Sequence, residues 1–195
     1  MALFITTLSL NMMGQGGAFG ALFPVQAKEQ VGLSSAQLGE LLSLAGFLGL
    51  LVTIPSGWVI DKYGRKVTLI PGLLLLATGA FVLTSLDNMT QIYLVIGLYG
   101  IGQALSMGAS QAFAADLAPE DRRGAFLGVW TTIGNIGSIV APLLIGAIAT
   151  NFGYAPGYVM VATFLLASAL FMVIFGPETG GRHRSREPVA ARASP

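Results

Sequence analysis

From Gly124 to Pro177 the chain runs 54 residues without a charged side chain. Four shorter stretches share the property: Met1–Ala27, Leu41–Ile60, Val67–Leu86 and Asn88–Ala115. A helix crossing a bilayer needs about 20 mainly apolar residues. Backbone polar groups have no water to bond in hydrocarbon, so each such run must be helical. The longest run exceeds one crossing. It holds the turn-forming cluster Asn151-Phe152-Gly153-Tyr154-Ala155-Pro156-Gly157, where it is divided. The pattern therefore predicts an all-α membrane protein with six transmembrane helices, at roughly residues 2–27, 36–60, 67–86, 90–115, 125–150 and 157–176. A water-soluble globule would need an amphipathic shell around these segments. With 10% charged residues, against roughly 25% in soluble domains, the chain has none to offer. The 54% apolar content likewise excludes a disordered chain.

The few charges are sorted. Lys62, Arg65 and Lys66 follow the second helix, and Arg122 and Arg123 follow the fourth. Arg182, Arg184, Arg186 and Arg192 lie in the tail, and Lys28 alone falls in an odd-numbered link. Basic residues stay on the cytoplasmic side, so both termini are expected inside a plasma or cytoplasmic (inner) membrane. Residues 1–179 read as one transmembrane domain, and the basic stretch 180–195 as a disordered cytoplasmic tail.

The chain also echoes itself. Gly57-Trp58-Val59-Ile60-Asp61-Lys62-Tyr63-Gly64 and Gly146-Ala147-Ile148-Ala149-Thr150-Asn151-Phe152-Gly153 share the order Gly, three residues, polar, one residue, aromatic, Gly. The copies end the second and fifth helices, on opposite membrane faces. That arrangement suits an inverted three-plus-three repeat.

The first copy extends to Gly57-x-x-x-Asp61-Lys62-x-Gly64-Arg65-Lys66. Gly57 admits a close helix neighbour. Asp61 is placed to meet a helix N-terminus or an arginine. Gly64 allows a tight turn, and Arg65 and Lys66 anchor the link. This segment resembles motif A of the major facilitator superfamily at every key position. Asp116-x-x-Pro119-x-x-x-Arg123-Gly124 resembles the acidic–Pro–Arg-Gly loop of the same superfamily. Gly134-Asn135-Ile136-Gly137-Ser138-x-x-x-Pro142-x-x-x-Gly146 loosely resembles a helix of its drug and sugar exporters. Pro177-Glu178-Thr179 is similar to the sequence after the final helix of many members.

The resemblance implies one six-helix half of a twelve-helix transporter. Pro-Glu-Thr before a short tail, and a first helix starting at Met1, favour the C-terminal half. It implies a secondary active transporter of small molecules, with an exporter of drug-like or metabolite substrates one expectation. Motif A would act as a conformational latch. The expected partners are membrane lipid, a small-molecule substrate and another six-helix half, whether a separate chain, a missing N-terminal half or a second copy. The alternative is a non-transporting membrane protein or half-unit. The need for two halves favours a fragment or truncated product.

In the superfamily the first and fourth helices of a half face the cavity, with the second and fifth beside them. Asn11 and Gln15 share a face of the first helix, and Gln103, Ser106 and Ser110 a face of the fourth. Thr131, Asn135 and Ser138 do so on the fifth. Asn11, Gln15, Gln103 and Asn135 are the candidate cavity-lining residues, while interhelical hydrogen bonding is the ordinary use of the hydroxyls. No charge lies deep in a span, so an ion-coupling group is expected in the other half.

Other chemistries lack their residues. There is no cysteine, and the one histidine, His183, sits in the tail, so no metal site is expected. No phosphate-binding loop is present, and serines lack a nearby base, so no cofactor and no enzyme activity are expected. A net charge of +1 gives no reason to expect nucleic acid.

Overall fold

The structure, a computed structural model, describes residue 12 and residues 15–86 and 88–176. Asn11, the Pro-Glu-Thr sequence and the basic tail lie outside the described residues. Among those described there is no strand. A π-helical stretch, Gly16–Leu22, leads into α1 (Phe23–Val31). Then come α2 (Ser35–Tyr63), α3 (Lys66–Val82), α4 (Met89–Leu117), α5 (Arg123–Phe152) and α6 (Tyr154–Phe175). Short 3-10 turns, Leu83–Ser85 and Glu120–Arg122, follow α3 and precede α5. The spans containing α2 to α6 are each long and apolar enough to cross a membrane.

Helix ends run further than the uncharged stretches predict. α1 continues through Lys28, Glu29 and Gln30 to Val31, because Gly32 in the left-handed region closes it (φ 74°). The expected seven-residue turn at 151–157 shrinks to Gly153 alone. Its backbone reverses the path in one residue, and Pro156 is absorbed in the first turn of α6, where its missing N–H costs nothing. At the opposite end of the sequence pattern, Ser34 with Gln37 and Asn88 with Gln91 form reciprocal caps that start α2 and α4.

The echo between helices is realised in the backbone. Gly64 ends α2 at φ 103°, ψ 171°. Gly153 ends α5 at φ 87°, ψ 173°. Both donate their N–H back four residues, to Ile60 and Ala149. This region of φ and ψ is open only to glycine. The helix pairing repeats as well. The stretch leading into α1 packs on α5, and α4 packs on α2, so each three-helix unit lends its first helix to the second helix of the other. In the α2–α4 seam a Cβ on Gly100 would fall 2.3 Å from the Ala45 carbonyl, and one on Gly49 3.0 Å from the Gly100 carbonyl. In the seam between the Gly16–Leu22 stretch and α5, Gly16 lies against Ser138, the counterpart of Gly49 in the echo.

The core lies between α3, α4 and α6, where Leu73, Leu76, Ile92, Ile96, Val161 and Leu165 are fully buried. α2 and α5 are the least enclosed helices. They leave bare faces carrying Phe47, Leu50, Ile54 and Trp58 on one, and Ile136, Ile139 and Leu143 on the other.

Contacts assign the helix ends to two sides. Arg65 meets Asp116, and Gly176 lies beside Lys66, which brings the α2–α3 link, the α4–α5 link and the end of α6 together. Gln26 meets the Leu83 carbonyl and Tyr154 meets Glu29, which gathers the remaining ends on the other side. Among the described residues, Lys62, Arg65, Lys66, Arg122 and Arg123 stand on the first side and Lys28 on the second.

Candidate functional site

On the basic side, α2 must turn into α3 within two residues. Gly64 makes that turn and is itself buried. It delivers Arg65 to the start of α3 with its side chain only 13% exposed. The guanidinium then reaches two helices, α2 and α4. Its Nη1 donates to the Ile60 carbonyl at 3.0 Å, satisfying an end carbonyl of α2. Its Nε donates to Asp116 Oδ2 at 3.0 Å, and its Nη2 to Oδ1 at 3.5 Å. This is the two-pronged geometry that arginine favours with a carboxylate. Asp116 sits in the last turn of α4, where the helix dipole opposes an anion, and Arg65 offsets that cost.

The two sequence motifs thus form one cluster. Their separate patterns did not signal the pairing, since the bond spans 51 residues and depends on how α2, α3 and α4 pack. Asp61 plays a lesser part within this chain. Its carboxylate is 82% exposed and stands 3.7 Å from Arg65 Nη1. Gly57 is also unused here, because a Cβ added to it would meet nothing within 4 Å. Lys66 passes its stem beside Gly176 at the end of α6, a favourable place for a cation. Lys62 lies over the Trp58 and Tyr63 rings at 4.4 and 5.0 Å.

In the second motif, Pro119 caps the 3-10 turn and accepts from the Arg122 N–H at 3.2 Å. Arg123 opens α5, and Gly124 faces open space. Arg123, Pro119 and Asp116 border a hollow of about 660 Å³ on this side.

The candidate cavity residues separate. Gln15 is buried, and its amide donates to Ser106 Oγ at 3.4 Å, joining the first helix to α4. Gln103 is half-buried and directs Nε2 to the Met107 sulfur at 3.3 Å, while its Oε1 has no protein partner. Asn135 is exposed on α5. Asn11 is outside the described residues. Ser106 and Ser110 are buried in the α4 packing, and Ser138 bonds back to the Gly134 carbonyl.

On the far side, one pair carries no mark in the sequence. Tyr154, at the start of α6, donates its hydroxyl to Glu29 near the end of α1. The two are 125 residues apart, and no local pattern marks either.

Comparison with known proteins bears on what this arrangement is for. A family model described as Major Facilitator Superfamily matches residues 3–195. An uncharacterized MFS-type transporter of Methanocaldococcus jannaschii is 26% identical over 174 residues, covering 89% of this chain and 42% of that protein. A D-galactonate transporter of Escherichia coli is 28% identical over 166 residues, covering 78% and 37%. A solved structure of a POT family transporter in complex with a thioalcohol conjugated peptide superposes with a TM-score of 0.75 at 17% identity, covering 92% of this chain and 39% of that one. The chain spans about two fifths of the length of these curated relatives.

Proposed function

The chain belongs to the Major Facilitator Superfamily, and on that premise we propose that it forms one wall of a secondary active transporter for a small organic molecule. It is an integral, multi-pass membrane protein with the fold of one six-helix half. The carrying observation is the idle part of motif A. Gly57 has open space where its missing side chain would be, and Asp61 is 82% exposed, both beside the bare face of α2. A residue kept small at a span end, with a carboxylate one turn on, serves an approaching helix, and among the described residues no helix approaches. The partner on this reading is a second six-helix half. The substrate path runs between the halves, and Gln103 and Asn135 stand on this chain's side of it.

In this mechanism the halves rock about a midplane site. Arg65 and Asp116 hold the cytoplasmic ends of α2, α3 and α4 as one body. Asp61 and Lys66 then contact the partner half in one of the two conformations. Both termini lie in the cytoplasm, in keeping with the five basic residues on that side.

The test is transport in vesicles carrying the assembled protein, with D-galactonate and a small peptide as first probes. Asp61→Asn should slow transport and leave insertion intact. Equal rates for the variant and the native protein would remove the latch. The bare faces of α2 and α5 also favour a second reading, a half-unit that pairs with itself. Cysteines placed at Ile54 and Ile139 decide between them. A crosslink between identical chains supports self-pairing, and a crosslink to a different chain supports a separate half.

A further inference from the structure

We propose that the cleft between the first helix and α5, at its non-basic end, is a binding site for an amphipathic organic cation. A cavity of about 420 Å³ opens there, within the range of sites for small molecules, roughly 300–1,000 Å³. Leu22, Val25 and Ala149 give it apolar walls, and Gly146 leaves room at its centre, since a Cβ there would meet nothing within 4 Å. Among the described residues that line it, Glu29 is the one with a charged side chain. Tyr154 donates to one oxygen of that carboxylate, Oε2, which fixes the exposed group on the rim.

The chemistry selects one class of occupant. A carboxylate beside an apolar pocket attracts an ammonium or phosphonium centre, and the Tyr154 ring adds a second attraction for a cation. The walls bury an apolar body. Among the described residues no basic side chain lines the cavity: Lys28 is adjacent to Glu29 in sequence but takes no part in the lining. An anion would meet Glu29 unpaired, and a neutral molecule would lack the charge term. The site is separate from motif A and from the Gln103 face, and its occupation is read without any translocation, so a protein that fails to transport still tests it.

The experiment uses the purified full chain in a neutral detergent. Tetraphenylphosphonium and tetraphenylborate are probes of the same shape and opposite charge, and equilibrium dialysis reads their binding. Tetraphenylphosphonium should saturate one site per chain, and tetraphenylborate should not. Glu29→Gln should weaken the cation by at least about tenfold, the loss of one charge-assisted contact. Gly146→Leu fills the cavity and leaves the carboxylate in place. It should weaken binding as well, and it carries the test if Glu29→Gln fails to fold. Lys28→Gln should leave affinity equal or higher. Equal binding of the two probes, or unchanged affinity in both Glu29→Gln and Gly146→Leu, would overturn the proposal. Added phosphatidylethanolamine separates the sources of the cation. Displacement of the probe in a Glu29-dependent way assigns the site to a lipid amine, and its absence assigns it to a soluble one; both are the proposed chemistry.

Discussion

Arg65 holds Asp116 by two hydrogen bonds, at 3.0 and 3.5 Å, across 51 residues of sequence. The pair is largely shielded, with 13% and 20% of the two side chains exposed. Removing either partner strands the other. Arg65→Ala and Asp116→Ala should each cost about 2 kcal/mol, read as a lower midpoint of thermal unfolding in detergent. The double variant should cost less than the sum of the two. Arg65→Lys should recover only part of the loss, because an ammonium cannot serve Asp116 and the Ile60 carbonyl in the same fork.

The corners at Gly64 and Gly153 make a matched pair for substitution. Alanine at either position must enter a backbone region it rarely occupies, at a cost of about 1–3 kcal/mol. Gly146→Ala is the control, with an open environment and helical backbone. It should be neutral or slightly stabilising. The same thermal measurement ranks all three.

How far these features were legible depends on their range. Charge-free runs located the helices because the bilayer acts on each segment by itself. The repeated Gly-x₃-polar-x-aromatic-Gly string located both corners, because a local backbone demand leaves a local mark. Arg65–Asp116 and Glu29–Tyr154 left none, since each joins helices that only packing brings together. The charge pattern puts Lys28, Glu29 and Gln30 past the end of the first helix, yet a helix that leaves the hydrocarbon continues in polar residues, here to Val31. Gln15 illustrates a different difficulty. Its polarity marked it correctly as unusual in a span, yet its contact is Ser106 inside the half, and polarity alone does not reveal direction.

The α2–α4 seam should be intolerant of even one methyl group. With a Cβ on Gly100 only 2.3 Å from the Ala45 carbonyl, the two backbones must part. Gly100→Ala should cost about 1–3 kcal/mol and should speed proteolysis of the α2–α4 region. Gly97→Ala, three residues away with nothing within 4 Å, should leave both measurements unchanged.

Sidedness can be read with thiol labels, since the chain has no cysteine of its own. Glu120→Cys and Asn151→Cys place single thiols at exposed positions on opposite sides. A membrane-impermeant maleimide should reach residue 151 in intact cells and residue 120 only in inverted vesicles. The reverse pattern would overturn the cytoplasmic placement of the basic links.

The exchange of partners between the two three-helix units has a consequence for biosynthesis. α1 emerges from the ribosome ahead of α2, α3 and α4, yet the helix that its leading segment packs against is α5. Until α5 arrives, the stretch Gly16–Leu22 can rest on α4 through the Phe19–Tyr99 stack and the neighbouring Gln15–Ser106 bond, but the side that faces α5 must be covered by the insertion machinery or by lipid. A nascent chain stalled before Arg123 would therefore contain a finished α2–α4 seam and a first helix with one side uncovered, open to quality-control proteases until the last third of the chain is made.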